Sequence, residues 1–151
     1  MADVRIQVGP LRFGARWETA AAPRTCAAFR RLLPYRQRLI QARWSGEAGW
    51  VPLGELDLGV GPEHATAEPE PGALLFYPGG ISETEILFPY GTARFACVKG
   101  PLAGNHFLTI EEGREALAEV GRLLCWEGAQ EISFEASPSR PPAARAAGAT
   151  P

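Results

Sequence analysis

Two apolar runs of period two, parted by Gly9-Pro10, do most to limit what this chain can fold into. Val4, Ile6 and Val8 alternate with Arg5 and Gln7, and Leu11, Phe13, Ala15 and Trp17 alternate with Arg12, Gly14 and Arg16. Successive side chains of a strand point to opposite faces, so each run carries one apolar face. The short break at Gly9-Pro10 lets the runs pair as a hairpin. Pairing brings both apolar faces to one side, and that side must be covered. A sheet covers it by packing on a second layer or by closing on itself.

Further short apolar runs lie between turn residues: Tyr35 to Arg43, Glu47 to Leu53, Ala73 to Tyr77, Glu85 to Phe88, Ala93 to Val98, His106 to Ile110 and Glu131 to Glu135. Each reads as a strand. Pro52 marks an edge or end, and Pro89-Tyr90-Gly91 reads as a turn. Residues 54–72 are rich in Gly, Pro and Glu and read as a long surface connection with at most one short strand. Two stretches change period. In residues 20–33, Pro23 suits a first helical turn, Thr25, Phe29 and Leu32 recur at helical spacing, and Pro34 ends the run. Thr109-Ile110-Glu111-Glu112 fits a capping box, which predicts a helix running to about Leu124 with Ala116, Leu117, Val120 and Leu124 buried. Residues 137–151 hold Pro, Ala, Arg and Ser without apolar period, so a disordered tail is expected. The reading is a mainly β domain over residues 1–136, its strands closed into a barrel of about eight and capped by two α-helices.

Composition narrows the function classes. No apolar run approaches the length that spans a bilayer, and the N-terminus has no apolar signal region, so no membrane partner and a cytoplasmic location are expected. The three cysteines, Cys26, Cys97 and Cys125, are scattered and odd in number, which suits reduced thiols. The net charge of −2 is unevenly spread: the first 43 residues hold nine arginines, with only Asp3 and Glu18 as acids. There is no basic run with interleaved aromatics, so nucleic acid is not expected as a partner. The simpler expectation is that the basic first third pairs with the acids of the remainder within one barrel.

Chemistry concentrates in three places. The first is Tyr77-Pro78-Gly79-Gly80-Ile81-Ser82-Glu83-Thr84-Glu85, where a Pro-Gly-Gly turn is followed by two carboxylates at i and i+2. On an extended segment Glu83 and Glu85 share a face, roughly 6.5 to 7 Å apart along the backbone. At that distance they repel by roughly 2 kcal/mol at an effective dielectric near 20, enough to raise one pKa by about one to two units. A carboxyl so shifted suits general acid or base work, or capture of a cation. The second is Asn105-His106, an amide that can orient a ligand beside a side chain that titrates near neutrality. The third is Arg43-Trp44-Ser45, with an arginine able to grip a carboxylate and a tryptophan able to floor a pocket. Tyr77 adds a hydroxyl. Glu83, Glu85 and His106 are thus the candidate catalytic residues, and Arg43, Trp44, Ser45, Tyr77 and Asn105 the candidate substrate-binding ones. The structural alternatives are a solvated strand end for the glutamates, a left-handed turn for Asn105, an ion pair of Arg43 with Glu47 or Glu83, and core packing for Trp44 and Trp50. No phosphate loop, nucleophile elbow or His-x-His pair is present, and two histidines argue against a zinc site, so no cofactor is expected.

Ala22-Pro23-Arg24-Thr25 with Phe29 resembles the opening of the first helix of cyclophilins. Phe107-Leu108-Thr109-Ile110-Glu111-Glu112-Gly113, with Leu117 and Val120, resembles the cyclophilin strand that leads into the second helix. The middle differs. Arg43-Trp44-Ser45-Gly46-Glu47, the Tyr77–Glu85 stretch and Leu102-Ala103-Gly104-Asn105-His106-Phe107 resemble instead an uncharacterised bacterial and archaeal family of cyclophilin-like fold. Over about residues 3–136 that resemblance implies a cyclophilin-like β-barrel and no particular activity. Three readings of function follow. One is a small-molecule site at the barrel mouth, binding or transforming a polar or anionic metabolite. Another is peptidyl-prolyl isomerisation, for which the Phe-His and Gly-Gly-Asp elements of cyclophilins are missing here. The last is a non-catalytic homo-oligomeric module.

Overall fold

A computed structural model describes residues 2–138 of the chain. The expected hairpin opens it: β1 (Val4–Val8) and β2 (Leu11–Trp17) pair antiparallel, with Val8 opposite Leu11. Next come α1 (Pro23–Arg30), β3 (Tyr35–Gln41) and β4 (Gly46–Gly54). The long connection contains only β5 (Ala65–Thr66). A second hairpin joins β6 (Ala73–Tyr77) to β7 (Thr84–Ala93), and β8 (Ala96–Cys97) with β9 (Gly100–Pro101) forms a small separate pair. β10 (Gly104–Glu112) leads through one 3-10 turn (Arg114–Ala116) into α2 (Leu117–Trp126), and β11 (Gln130–Ala136) follows.

The strands run in the order β2-β1-β11-β3-β4-β7-β6-β10, and β10 pairs back onto β2 with Leu108 opposite Trp17. That pairing closes an eight-stranded antiparallel barrel, a size whose interior side chains can fill. The alternating residues of β1 and β2 do so, together with Ile86, Phe88, Ile132 and Phe134. Phe29 drops into this interior from α1 and meets Trp17, Tyr35, Phe107 and Phe134 edge to face, with centroids 5.0 to 6.4 Å apart. α2 lays Leu124 over Gly49, where an added Cβ would stand 2.8 Å from that leucine. The uneven charge is met in part: of the nine arginines of the first third, Arg5 pairs with Glu135, Arg16 with Glu111 and Arg36 with Glu131, while the others form no ion pair with a later acid among the described residues.

Part of the sheet is apolar on both faces. On β6 and β7 the inward residues are Leu74, Phe76, Ile86 and Phe88, while Leu75, Tyr77 and Leu87 point outward. The segment between β7 and β10 folds over them, seating Phe95 and Leu102 on the outer wall. This second layer explains two departures from expectation. Pro89-Tyr90-Gly91 does not turn the chain. β7 runs through it, with Pro89 opposite Ala48 beside a register shift where a residue without an N–H is tolerated. Residues 93–98 do not return as a full strand: Ala93 ends β7 opposite Gly46, Phe95 is drawn down onto the wall, and beyond it Ala96–Cys97 pairs with β9.

The expected capping box is also absent. Thr109, Glu111 and Glu112 all belong to β10, and the helical segment begins after Gly113, at φ 85°, with no side-chain cap. The closure with β2 needs those residues as strand, and the tertiary ladder overrides the local signal. Of the expected disordered tail, residues 139–151 lie outside the described residues; Ser137 donates its N–H to Asp3 O at 3.0 Å.

α1 takes its cap from far along the chain. Ala22 offers no side-chain oxygen, and Glu63 in the long connection supplies the carboxylate. It accepts from Arg24 N–H (3.0 Å), Thr25 N–H (2.8 Å) and the Thr25 hydroxyl (2.7 Å). Burial pushes this carboxyl up, but the Thr25 hydroxyl and the two N–H groups outweigh it and hold it below the ordinary value. Fully buried Asn105 ties the knot: its oxygen accepts from Glu63 N–H at 2.9 Å, and its amide donates to Thr25 Oγ1 at 3.0 Å and Gly61 O at 2.9 Å. Asn105→Ala strands these partners and is expected to cost about 1 to 3 kcal/mol in urea unfolding, without touching the outer wall.

Candidate functional site

The outer wall carries a cavity of about 170 Å³ beside the Phe95–Leu102 cover. Its floor is the outward face of β4 and β7, where Trp50 stands opposite Leu87 and Glu85 opposite Pro52. Arg43, Trp44 and Ser45, from the turn between β3 and β4, form one side, Ser82 the end, and Cys97 and Val98 of the cover the other side. The site is therefore on the wall of the barrel and not at its mouth. The period of two decides this: Ile86 and Phe88 fill the interior, so Glu85 and Leu87 face out.

Local structure places each side chain. Gly79 (φ 98°) and Gly80 (φ 134°) take positive φ, and the loop curls back over Tyr77, whose hydroxyl accepts from Ile81 N–H at 2.9 Å. Tyr77 is buried, packs edge-on against Phe95, and serves as the post on which the loop rests. Glu83 turns away to cap β4, accepting from Gly54 N–H at 3.0 Å. Ser45 pins the cover, since its Oγ accepts from Ala96 N–H at 3.1 Å and donates to Ala96 O at 3.3 Å. Glu47 accepts from Thr92 N–H at 2.7 Å, and Arg43 makes no ion pair with any described acid.

Glu85 is the unusual group. It is 6% exposed, no described cation pairs with it, and its pKa is pushed up to about 7. Burial is the main cause and the charge of Glu83 the second, with the Ser82 side chain pulling the other way. The repulsion between the two glutamates is thus present, but desolvation beneath the cover exceeds it.

The eight candidate residues do not gather at one point. Arg43, Trp44, Ser45 and Glu85 line the wall cavity, with Tyr77 beneath its loop and Glu83 beside it. Asn105 lies inside, in the knot with Glu63 and Thr25. His106 faces out, but into a separate groove with Arg16, Glu18 and Thr109. There Thr109 donates to Glu18, leaving its oxygen to accept from His106 Nε2 at 2.7 Å. Burial lowers the His106 pKa and the Arg16 charge adds to this, against the opposing pull of Glu18. Adjacent residues of a strand point to opposite faces, so Asn105 and His106 could not have served one site together. Ser82, Cys97 and Val98 were not among the expected site residues. Ser82 stood within the recognised stretch, whereas the two cover residues carry no local signal. No cluster of three metal-ligating side chains occurs among the described residues, and no described helix is long and apolar enough to cross a membrane.

Residues 4–136 match the profile of a family described as "Protein of unknown function (DUF3830)". No curated protein matches the chain in sequence. Among solved structures, McbB in complex with tryptophan is similar, with a TM-score of 0.69 and 17% identity over 92% of this chain and 46% of that one. The likeness is one of fold, and the chain spans less than half of McbB's length.

The pKa of Glu85 has a stability consequence with a definite sign. A carboxyl whose pKa is raised by folding holds its proton more tightly in the folded chain. Stability therefore falls as pH rises from about 4.5 to about 7, and stays lowered above. Glu85→Gln removes this burden. Urea unfolding is expected to show the variant more stable than the native chain by on the order of 3 kcal/mol at pH 8, and by under about 1 kcal/mol at pH 4.5.

Proposed function

We propose, for a chain that belongs to the DUF3830 family of proteins of unknown function, that the wall cavity binds a small polar metabolite bearing an anionic group. One observation carries the reading: a buried carboxyl without a cationic partner among the described residues faces a cavity whose rim holds an arginine that pairs with no described acid. A buried ionisable group costs stability unless something complements it, and a ligand is a natural complement. Arg43 offers the planar fork that suits a carboxylate, and Trp44 and Trp50 offer apolar contact area. With a pKa near 7, Glu85 is equipped to give or take a proton, so the same pocket accommodates transformation as well as binding.

A second reading has its own support. Trp44 (54% exposed) and Val98 (69%) line the cavity, and Ile81 (60%) precedes the lining Ser82, so exposed apolar side chains ring the pocket. Such a rim also suits contact between copies of the chain in a homo-oligomer. Light scattering on the native chain and on a Trp44→Ser, Val98→Ser pair separates the readings, because a self-association face loses mass on substitution and a ligand rim does not.

The test of the ligand reading is a thermal-shift screen of small carboxylates, amides and amino acids, tryptophan included because McbB is seen with it. At least one carboxylate-bearing compound is expected to raise the Tm of the native chain and not that of Arg43→Ala. A screen in which every compound leaves both proteins unmoved, or moves both alike, contradicts it.

A further inference from the structure

The floor of the wall cavity holds the Glu85 carboxyl and the Trp50 indole, one side holds the Trp44 indole, and that combination defines a narrower ligand class. We infer that the ligand presents an ammonium group to Glu85 and lays an apolar body against Trp44 and Trp50, which rests on the reading that the cavity binds a small molecule at all.

A buried carboxyl accepts two kinds of complement. As the neutral acid it donates to a carbonyl or carboxylate; as the carboxylate it accepts from a cation. The groups around Glu85 favour the second. Glu83, two residues back, adds a second negative charge to the same corner. A cation is attracted by both carboxyl groups, whereas a carbonyl or carboxylate oxygen brings its own negative end toward Glu83. Across the ladder on β6 stands Tyr77, whose hydroxyl already accepts from the loop above, so no positive charge sits beneath the floor. Pro52 opposite on β4 carries no charge, and Cys97 on the cover is a thiol. Arg43 is the cation of the lining, and it is solvent-exposed at the rim. It is placed for an anionic group at the outer end of a ligand. Indole faces carry the negative side of a quadrupole and attract a cation, by more when the site is desolvated. A primary amine with a ring or alkyl body, charged as the ammonium, meets all of these. Ligand binding then requires the ionised form of Glu85, which links affinity to pH.

The test uses three matched probes that differ at one end only: 2-phenylethylamine, 2-phenylethanol and phenylacetate. Calorimetric titration of the native chain is expected to find the amine the tightest of the three. Its affinity should rise about fivefold to tenfold from pH 6 to pH 8, as a carboxyl of pKa near 7 ionises. At pH 7, titration in two buffers of different ionisation enthalpy should show release of about half a proton, since bound Glu85 gives up the proton it shares when empty. Glu85→Gln should abolish both the proton release and the pH dependence. Trp44→Ala, a change at an exposed residue that leaves the core intact, should weaken the amine severalfold. Tighter binding of the alcohol or of phenylacetate, proton uptake in place of release, or an amine affinity indifferent to Glu85→Gln overturns the ammonium assignment while leaving the cavity a ligand site. Failure of the amine to bind at millimolar concentration overturns the assignment too; joined to a blank carboxylate and amide screen, it removes the ligand reading with it.

Discussion

The return of β10 onto β2 is the contact on which the rest of this structure depends. It turns a sheet with two edges into a barrel with none, and it consigns every inward side chain to a closed interior. Eight strands leave room for side chains, and here Phe13, Phe29, Phe88, Phe107 and Phe134 take it. A functional site in such a barrel is displaced to its outside. The same closure claims Thr109 to Glu112 as strand residues, delays the second helix and turns His106 outward.

A wall by itself is a convex surface and makes a poor pocket. The chain solves this with the segment between β7 and β10, which seats Phe95 and Leu102 on outward Leu75, Tyr77 and Leu87. Ser45 fastens it through both polar groups of Ala96, and Tyr77 holds up the loop that ends in Ser82. The cover and the β3–β4 turn together raise sides around a stretch of wall, and Glu85 is enclosed between them. Its raised pKa is a result of that enclosure. Elsewhere the protein compensates its partly buried carboxylates: Glu63 has Thr25 and two N–H groups, and Glu18 has Arg16 and Thr109. Glu85 has only the Ser82 side chain, which desolvation and the Glu83 charge outweigh.

Much of the barrel was legible in the chain because its signal is local. The alternation of Val4 to Trp17, the helical spacing of Thr25, Phe29 and Leu32, and the turn glycines at Gly79-Gly80 all carry their meaning within a few residues. The segregation of charge along the chain pointed to pairing between its parts, and Arg5, Arg16 and Arg36 do pair with later acids. What stayed hidden depends on distant partners. Pro89-Tyr90-Gly91 has the composition of a turn, and only Ala48 on β4 makes it strand. Glu63 caps a helix that begins forty residues earlier, and nothing around either segment announces the other. The site divides in the same way. Arg43, Trp44, Ser45 and Glu85 meet because their own motifs carry them to one face. Asn105 and His106 part because neighbouring residues of a strand look in opposite directions. Cys97 and Val98 enter the site through the folding of the cover.

The cover leaves Glu85 desolvated and without a cation among the described residues, poised between its two protonation states at neutral pH. A carbon-13 NMR titration of the glutamate side-chain carboxyls, with Glu85 assigned by its loss in Glu85→Gln, measures this directly. Glu85 is expected to titrate with a midpoint near 7. A midpoint at the ordinary value of about 4.3 would show an open, solvated carboxylate and would contradict it.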